Sequence, residues 1–179
     1  MIVSVAQFNT FTGNRETATD IVSMKEQMLK TAQEIVSEYL GYPIENCEHD
    51  DYLSPIGQPT LYLNAYPITS IIALSLSGTE IPSSDYSVRG RGLRLNDGVW
   101  PVGIDTVHCR YMAGWTNLNV PSEVCQTIIQ IASLLLQEAG GNIGITGKSM
   151  SENSRTFINY TNFKRWLEKL DPLRVVRFV

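Results

Sequence analysis

From Tyr52 to Trp115 the chain is written in short apolar–polar alternations, and nothing between them is long enough to be a helix. TLYLN, ITSIIALSLSG, DYSVRG, GLRLN and DTVHCRYMAG are each rich in β-branched and aromatic residues, as strands are. Parallel neighbours need a crossover of about a dozen residues or more, usually a helix. Without one, these segments have to pair antiparallel, and the spacing predicts an antiparallel meander. Ser77-Gly78-Thr79 and Asn96-Asp97-Gly98 punctuate the segments as tight hairpin turns do.

The flanks have a different period. Ser4 and Gln7 have capping-box spacing, which predicts a short helix to Phe11, stopped by Gly13. A longer helix is expected from Glu16–Asp20 to Leu40. Ile21, Met24, Met28, Ala32, Ile35 and Tyr39 fall on one face of it, with Lys25, Lys30, Glu34 and Glu38 opposite. Gly41 suits the left-handed residue after a helix, and Pro43 prevents continuation. A third helix is expected from Pro121 to Ala139, ended by Gly140-Gly141. Val124, Cys125, Ile128, Ile129, Ile131, Ala132 and Leu134–Leu136 leave it only a thin polar strip at Gln126, Gln130 and Gln137. A helix that apolar is covered on most sides, in a core or between subunits. Residues 141–156, rich in Gly, Ser and Asn, read as a mobile loop. A last amphipathic helix carries Phe163, Trp166, Leu167 and Leu170 before Pro172 stops it. LRVVRFV, with Arg174 and Arg177, is too apolar to hang in water and is expected to dock on a core or a neighbouring subunit. The fold class is therefore α+β: a small bundle of about four helices with an antiparallel β-meander inserted between the second and third.

Motifs for catalysis or cofactors fail on inspection. GGNIGITGKS ends like a phosphate-binding loop, but the position that should hold a glycine, separated by four residues from Gly147-Lys148-Ser149, is Asn142. The segment also follows a helix and enters a polar run, whereas such loops leave a strand and enter a helix whose N-terminus meets the phosphate. Cys47-Glu48-His49-Asp50-Asp51 gathers metal-capable side chains, yet its only counterpart, His108-Cys109, is an adjacent pair that a strand points to opposite faces. A solvated acidic loop after the helix is the expectation there. No serine sits in a nucleophile elbow, and Cys125 is expected deep in an apolar helix, where a thiol is inert. Arg89-Gly90-Arg91-Gly92-Leu93-Arg94 reads as a hairpin with its arginines facing solvent. No catalytic, cofactor-binding or metal-binding residue is assigned.

Composition reads as that of a soluble, intracellular and mildly acidic protein. The chain has 179 residues, 43% of them apolar and 18% charged, enough for one domain with a core. Its net charge of −4 argues against nonspecific adhesion to nucleic acid or anionic lipid. Three cysteines (Cys47, Cys109, Cys125) are too sparse for a disulfide framework and fit a reducing cytosol. MIVSVAQFNTF has no basic segment or cleavage site of a signal peptide, and no apolar run approaches membrane-spanning length, so no membrane partner is expected.

Several phrases in this order are similar to a known family. EYLGYP closing a helix, YPITSI, SGTEIP, DYSV, VHCRYMAGW, VPSEVCQTIIQIASLL and the closing WLEKLDPLRVVRF resemble the head–tail connector (adaptor) proteins of tailed bacteriophages, over roughly Asp20 to Phe178. The long β region departs from the shortest members. The resemblance implies one connector domain over 1–179, helical at 1–45 and 119–179 with a β-rich insertion at 52–115. It implies no enzyme activity and no cofactor. The implied partners are further copies in a ring, usually a dodecamer, the portal protein above, and a stopper or tail-completion protein below. Genomic DNA is expected to pass through without sequence-specific binding, in the neck of the virion, with assembly in the host cytoplasm. Residues 141–156 and the C-terminal segment are expected to order on partner binding. The competing readings are a monomeric binding module using its β-hairpins and, more remotely, a nucleotide- or metal-dependent enzyme using Lys148 or residues 47–51.

Overall fold

The computed structural model describes residues 1–13, 18–137, 145–148, 155–157 and 160–175. The chain forms two compact units, Tyr42–Thr116 and Met1–Gly41 with Asn117–Val179. Together they give an α+β fold in which a β region interrupts a helical one between its second and third helices.

The β unit holds seven strands: β1 (Cys47–Leu53), β2 (Thr60–Tyr62), β3 (Ile68–Leu76), β4 (Thr79–Glu80), β5 (Tyr86–Arg89), β6 (Gly92–Leu95) and β7 (Val107–Ala113). All named pairings in it are antiparallel, as expected. The strands do not follow chain order as a simple meander does. They form two sheets, β1-β7-β3-β4 and β2-β6-β5, in which only β3–β4 and β5–β6 are hairpins. Ser77 and Gly78 turn the first of these with φ of 49° and 82°, the two positive values of a type I′ turn. Asn96–Gly98 is a bend, not a hairpin turn: β6 pairs with β5 and β2, and the chain runs on through a loop to β7.

β7 is the spine. Val107, Cys109, Tyr111 and Ala113 are fully buried, and the residues between them face outward. It pairs along its whole length with β1, from Cys47↔Ala113 to Leu53↔Val107. The acidic run 47–51 is thus an edge strand and not a loop. Its composition is poor for a strand, but its outward residues meet complementary charge: Arg110 Nη2 lies 2.7 Å from Glu48 Oε1, and His108 Nε2 lies 2.5 Å from Asp50 Oδ1. Charge on an edge strand also discourages unwanted pairing. Inward, Tyr111 donates its hydroxyl proton to Asp51 at 2.6 Å and accepts the Ala65 N–H at 3.2 Å.

The unit begins and ends on adjacent backbone. Trp115 N donates to the Ile44 carbonyl (2.8 Å), and Asn46 N donates to the Trp115 carbonyl (3.0 Å). Between them Gly114, at φ +113°, donates to the Pro67 carbonyl and presses against the backbone of Glu45.

The helical unit comprises α1 (Val5–Thr12), α2 (Thr19–Leu40), α3 (Ser122–Gln137), α4 (Tyr160–Leu167) and a 3-10 helix, Glu168–Leu173. The capping box is present: Ser4 Oγ accepts from Gln7 N at 3.2 Å, and Gln7 Oε1 accepts from Ser4 N at 2.8 Å. α2 and α3 pack on each other, α1 touches both, and the 3-10 helix closes against them. The buried seam is Leu29, Ala32, Val36 and Leu40 from α2 against Val124, Ile128, Ile131 and Ala132 from α3.

That seam differs from the expected one. α2 has two adjacent apolar rows, and the row facing α3 starts at Lys25, not Ile21. Lys25, expected in solvent, is fully buried; its stem fills the seam while Nζ donates to Asn9 Oδ1 at 2.7 Å. Met24 of the expected row is exposed, and Ile21, Met28, Ile35 and Tyr39 are half-buried. On α3, Cys125 and Leu134–Leu136 are half-buried rather than deep. Its expected end at Ala139 lies outside the described residues. Within 141–156, Ile145–Lys148 (β8) and Arg155–Phe157 (β9) pair antiparallel, correcting the loop expectation at those positions.

Gly41 ends α2 at φ +84°, its N–H reaching the carbonyls of Ser37 (3.0 Å) and Glu38 (3.2 Å). A Cβ there would stand 3.0 Å from the Val175 carbonyl oxygen. Gly41→Ala is expected to cost about 1–2 kcal/mol for the left-handed backbone alone. In a thermal melt that is a drop of roughly 2–8 °C, and an unchanged midpoint would contradict this account.

Candidate interaction surface

The motifs singled out in the sequence do not converge. Gly147 and Lys148 lie in strand β8, opposite Thr156 and Arg155 of β9. Cys47 Sγ and His49 Nε2 approach to 3.4 Å on one side of β1, where His49 stacks on Tyr111. His108 is on the outward side of the sheet beside Asp50 and Tyr52, while Cys109 is buried. Among the described residues no three His, Cys, Asp or Glu side chains are gathered to hold a metal ion. No thiol is activated. Burial pushes Cys109 up to about 12, with Asp51 and Asp50 adding to the effect; Cys125 is raised by burial, and Cys47 by burial and then Glu45. Among the described residues no helix is long and apolar enough to cross a membrane.

The arginine run forms the β5–β6 hairpin, with Gly90-Arg91 at its turn. Arg89 and Arg94 are exposed as expected, whereas Arg91 is half-buried with its guanidinium 5.5 Å above the Tyr62 ring. Of the C-terminal run, Val175 N donates to the Leu40 carbonyl at 2.9 Å, and Arg174 lies 4.9 Å over the Tyr39 ring, whose hydroxyl contacts Asp171. Residues 176–179 lie outside the described ones.

What stands out is a surface that the sequence reading missed. Two loops of the β unit, 54–59 and 96–106, are stitched side by side. Gly103 N donates to the Pro55 carbonyl and Trp100 N to the Gln58 carbonyl, both at 3.0 Å. Ser54 Oγ accepts from Asp105 N (2.9 Å) and donates to Asp105 Oδ1 (3.1 Å). The fully buried Trp100 nails the longer loop inward, its Nε1–H donating to the Leu93 carbonyl at 3.0 Å. Outward, this frame holds aliphatic side chains in water: Ile56 is 80% exposed, Val99 53%, Val102 78% and Ile104 86%. Scattered exposed aliphatics are ordinary, but four on one hydrogen-bonded frame are a patch, and such patches mark contact sites. The readable signal was β-branched aliphatics inside SPIGQ and NDGVWPVGID, where turn chemistry calls for polar residues.

A second apolar feature lies wholly within the helical unit. Ile35 and Tyr39 of α2 face Phe163 and Leu167 of α4 across an open groove of about 510 Å³, with Glu38 at its rim. Ile35 and Tyr39, half-buried members of the α2 row expected in the seam, form one wall of it.

No protein-family model matches the sequence, and no curated protein does either. Solved structures do match, over nearly the whole chain. A chain in the neck of an empty gene transfer agent particle, computed with C6 symmetry, aligns with a TM-score of 0.64 at 13% identity, covering 99% of this chain and 92% of that one. A chain in the virion of a native gene transfer agent particle gives 0.63 at 13% identity, with the same coverage. A chain in the neck of the native particle, computed with C12 symmetry, gives 0.59 at 13% identity over 98% and 90%. The chain thus has the fold, from its first helix to its last, of chains that occur in the virion and neck of gene transfer agent particles.

Proposed function

We propose that this protein is a non-enzymatic structural component of a phage-type virion neck, a head–tail connector of the kind its sequence resembles. Identical copies assemble as a ring beneath the portal, prolong the DNA channel, and present a surface to the stopper or tail-completion protein below. The two compact units act as one connector domain over residues 1–179. The observation that carries this reading is the whole-chain fold shared with chains of particle necks, one of them computed with twelve-fold symmetry. The preorganised aliphatic tip of the β unit supports it, because a lone subunit leaves that surface in water. The net charge of −4 suits a conduit through which phosphates slide without being held.

Electron microscopy of the purified protein, alone and mixed with portal rings, tests the proposal. Rings, alone or capping the portal, are the expected result. A monomer at every concentration that also ignores the portal overturns it.

A further inference from the structure

We propose that the outward face of the β2-β6-β5 sheet is a contact surface for the phosphate backbone of duplex DNA. The inference deepens the conduit reading. It rests on that reading for the source of the DNA, but not for the chemistry of the face.

The pairing register decides which side chains share that face. Thr60 and Ser87 flank Arg94 across the sheet, and Tyr62 and Arg89 flank Gly92. Alternation along each strand puts these six on one side and Leu61, Val88 and Leu93 on the other. Burial agrees: Leu61 and Leu93 are buried, whereas Thr60, Tyr62, Arg89 and Arg94 are exposed, Tyr62 by 60%. Arg89 and Arg94 are diagonal neighbours, about 7–8 Å apart. Gly92 puts no side chain between Arg89 and Tyr62, and Arg91 at the turn brings its guanidinium to 5.5 Å from the Tyr62 ring. None of the three strands contains an Asp or Glu. Among the described residues no carboxylate pairs with Arg89 or Arg94; Asp85, just before β5, accepts instead from Ser84 Oγ at 2.7 Å. The face is thus cationic in a chain whose net charge is −4.

This composition selects the partner. Arginine beside Ser, Thr and Tyr hydroxyls is the donor set that contacts phosphate oxygens. A stable protein interface needs an apolar core that sheds its water, and the six residues of this face include no aliphatic side chain. Protein–DNA interfaces are, by contrast, polar and strongly positive. Phosphate contacts carry no sequence information, so the face meets any stretch of duplex alike. Two or three ion pairs in each subunit hold weakly, and one phosphate is readily exchanged for the next as the DNA moves.

The test measures binding of a short fluorescent DNA duplex by the full chain across a salt series. Log affinity is expected to fall against log salt with a slope of about −1.8 to −2.7, about 0.9 for each of two or three guanidiniums. Arg89→Gln and Arg94→Gln change exposed side chains, and each is expected to reduce that slope by about 0.9. Arg94→Lys keeps the charge and is expected to leave it unchanged. Duplexes of unrelated sequence are expected to bind alike. No binding at low salt, a slope untouched by both glutamine variants, or a marked sequence preference overturns the proposal. In assembled particles, a photo-crosslinking amino acid at the exposed position 60 is expected to attach to DNA. Attachment to protein alone means that an acidic partner surface covers the face, and overturns the proposal as well. Rings in electron micrographs without these DNA contacts leave the ring reading standing and remove this one. Salt-dependent DNA binding through Arg89 and Arg94, by a chain that never forms rings or joins a portal, does the reverse.

Discussion

Gly114→Ala is expected to prevent the β unit from folding. At φ +113° an alanine is strained, and its Cβ would stand 2.3 Å from the Glu45 carbonyl oxygen, 2.6 Å from that carbonyl carbon and 2.8 Å from Asn46 N. All three are backbone atoms, so no rotamer change relieves the overlap. The flanking ladder has to open instead, and it is the one that joins Ile44 and Asn46 to Trp115. The cost is expected to exceed about 4 kcal/mol, the range in which single substitutions unfold a small domain. Soluble yield and the fluorescence of the buried Trp100 and Trp115 report it directly. An alanine variant whose melting midpoint lies within about 2 °C of the parent would show that this crossing is not closely packed.

Trp100→Ala carries the next largest effect. The indole is fully buried and fixes loop 96–106 at two points, through its backbone N–H to Gln58 and its ring N–H to Leu93. Truncation leaves a cavity, removes the ring hydrogen bond to the Leu93 carbonyl and leaves the loop held only by its backbone contacts and the Ser54–Asp105 pair. Such a change costs about 3–5 kcal/mol. Trp100→Phe keeps most of the volume and loses the ring hydrogen bond, and is expected to cost about 1–3 kcal/mol from the buried Leu93 carbonyl. Urea titration orders the three proteins: parent, then phenylalanine, then alanine. If phenylalanine and alanine are equally destabilised, the hydrogen bond and not the packing dominates. If neither differs from the parent, the loop is not anchored through this ring.

The sequence made some elements easy to read and concealed others, for physical reasons visible in particular residues. Ser4, Gln7, Gly41, Ser77 and Gly78 announced their structures because capping and left-handed turns are local chemistry. The antiparallel character of the β region followed from the lack of any crossover segment. β1 was hidden because CEHDDYL owes its strand to partners far along the chain, Arg110 and His108, which local propensity cannot include. The seam of α2 was misplaced because two apolar rows lie side by side, and only α3 decides between them. Lys25 completed the error, since charge placed it outside while its stem and Asn9 allow it inside. The candidate surface was the least legible part. Ile56, Val102 and Ile104 look like ordinary β-unit aliphatics until the hydrogen bonds of Ser54, Pro55 and Gln58 show that they have nowhere inward to point.

The stitch at Ile44, Asn46 and Trp115 has a further meaning for how such a chain can change over time. An excursion of some seventy residues that departs and comes home at one place can be lengthened, shortened or exchanged as a cassette, with no re-threading of the segments on either side.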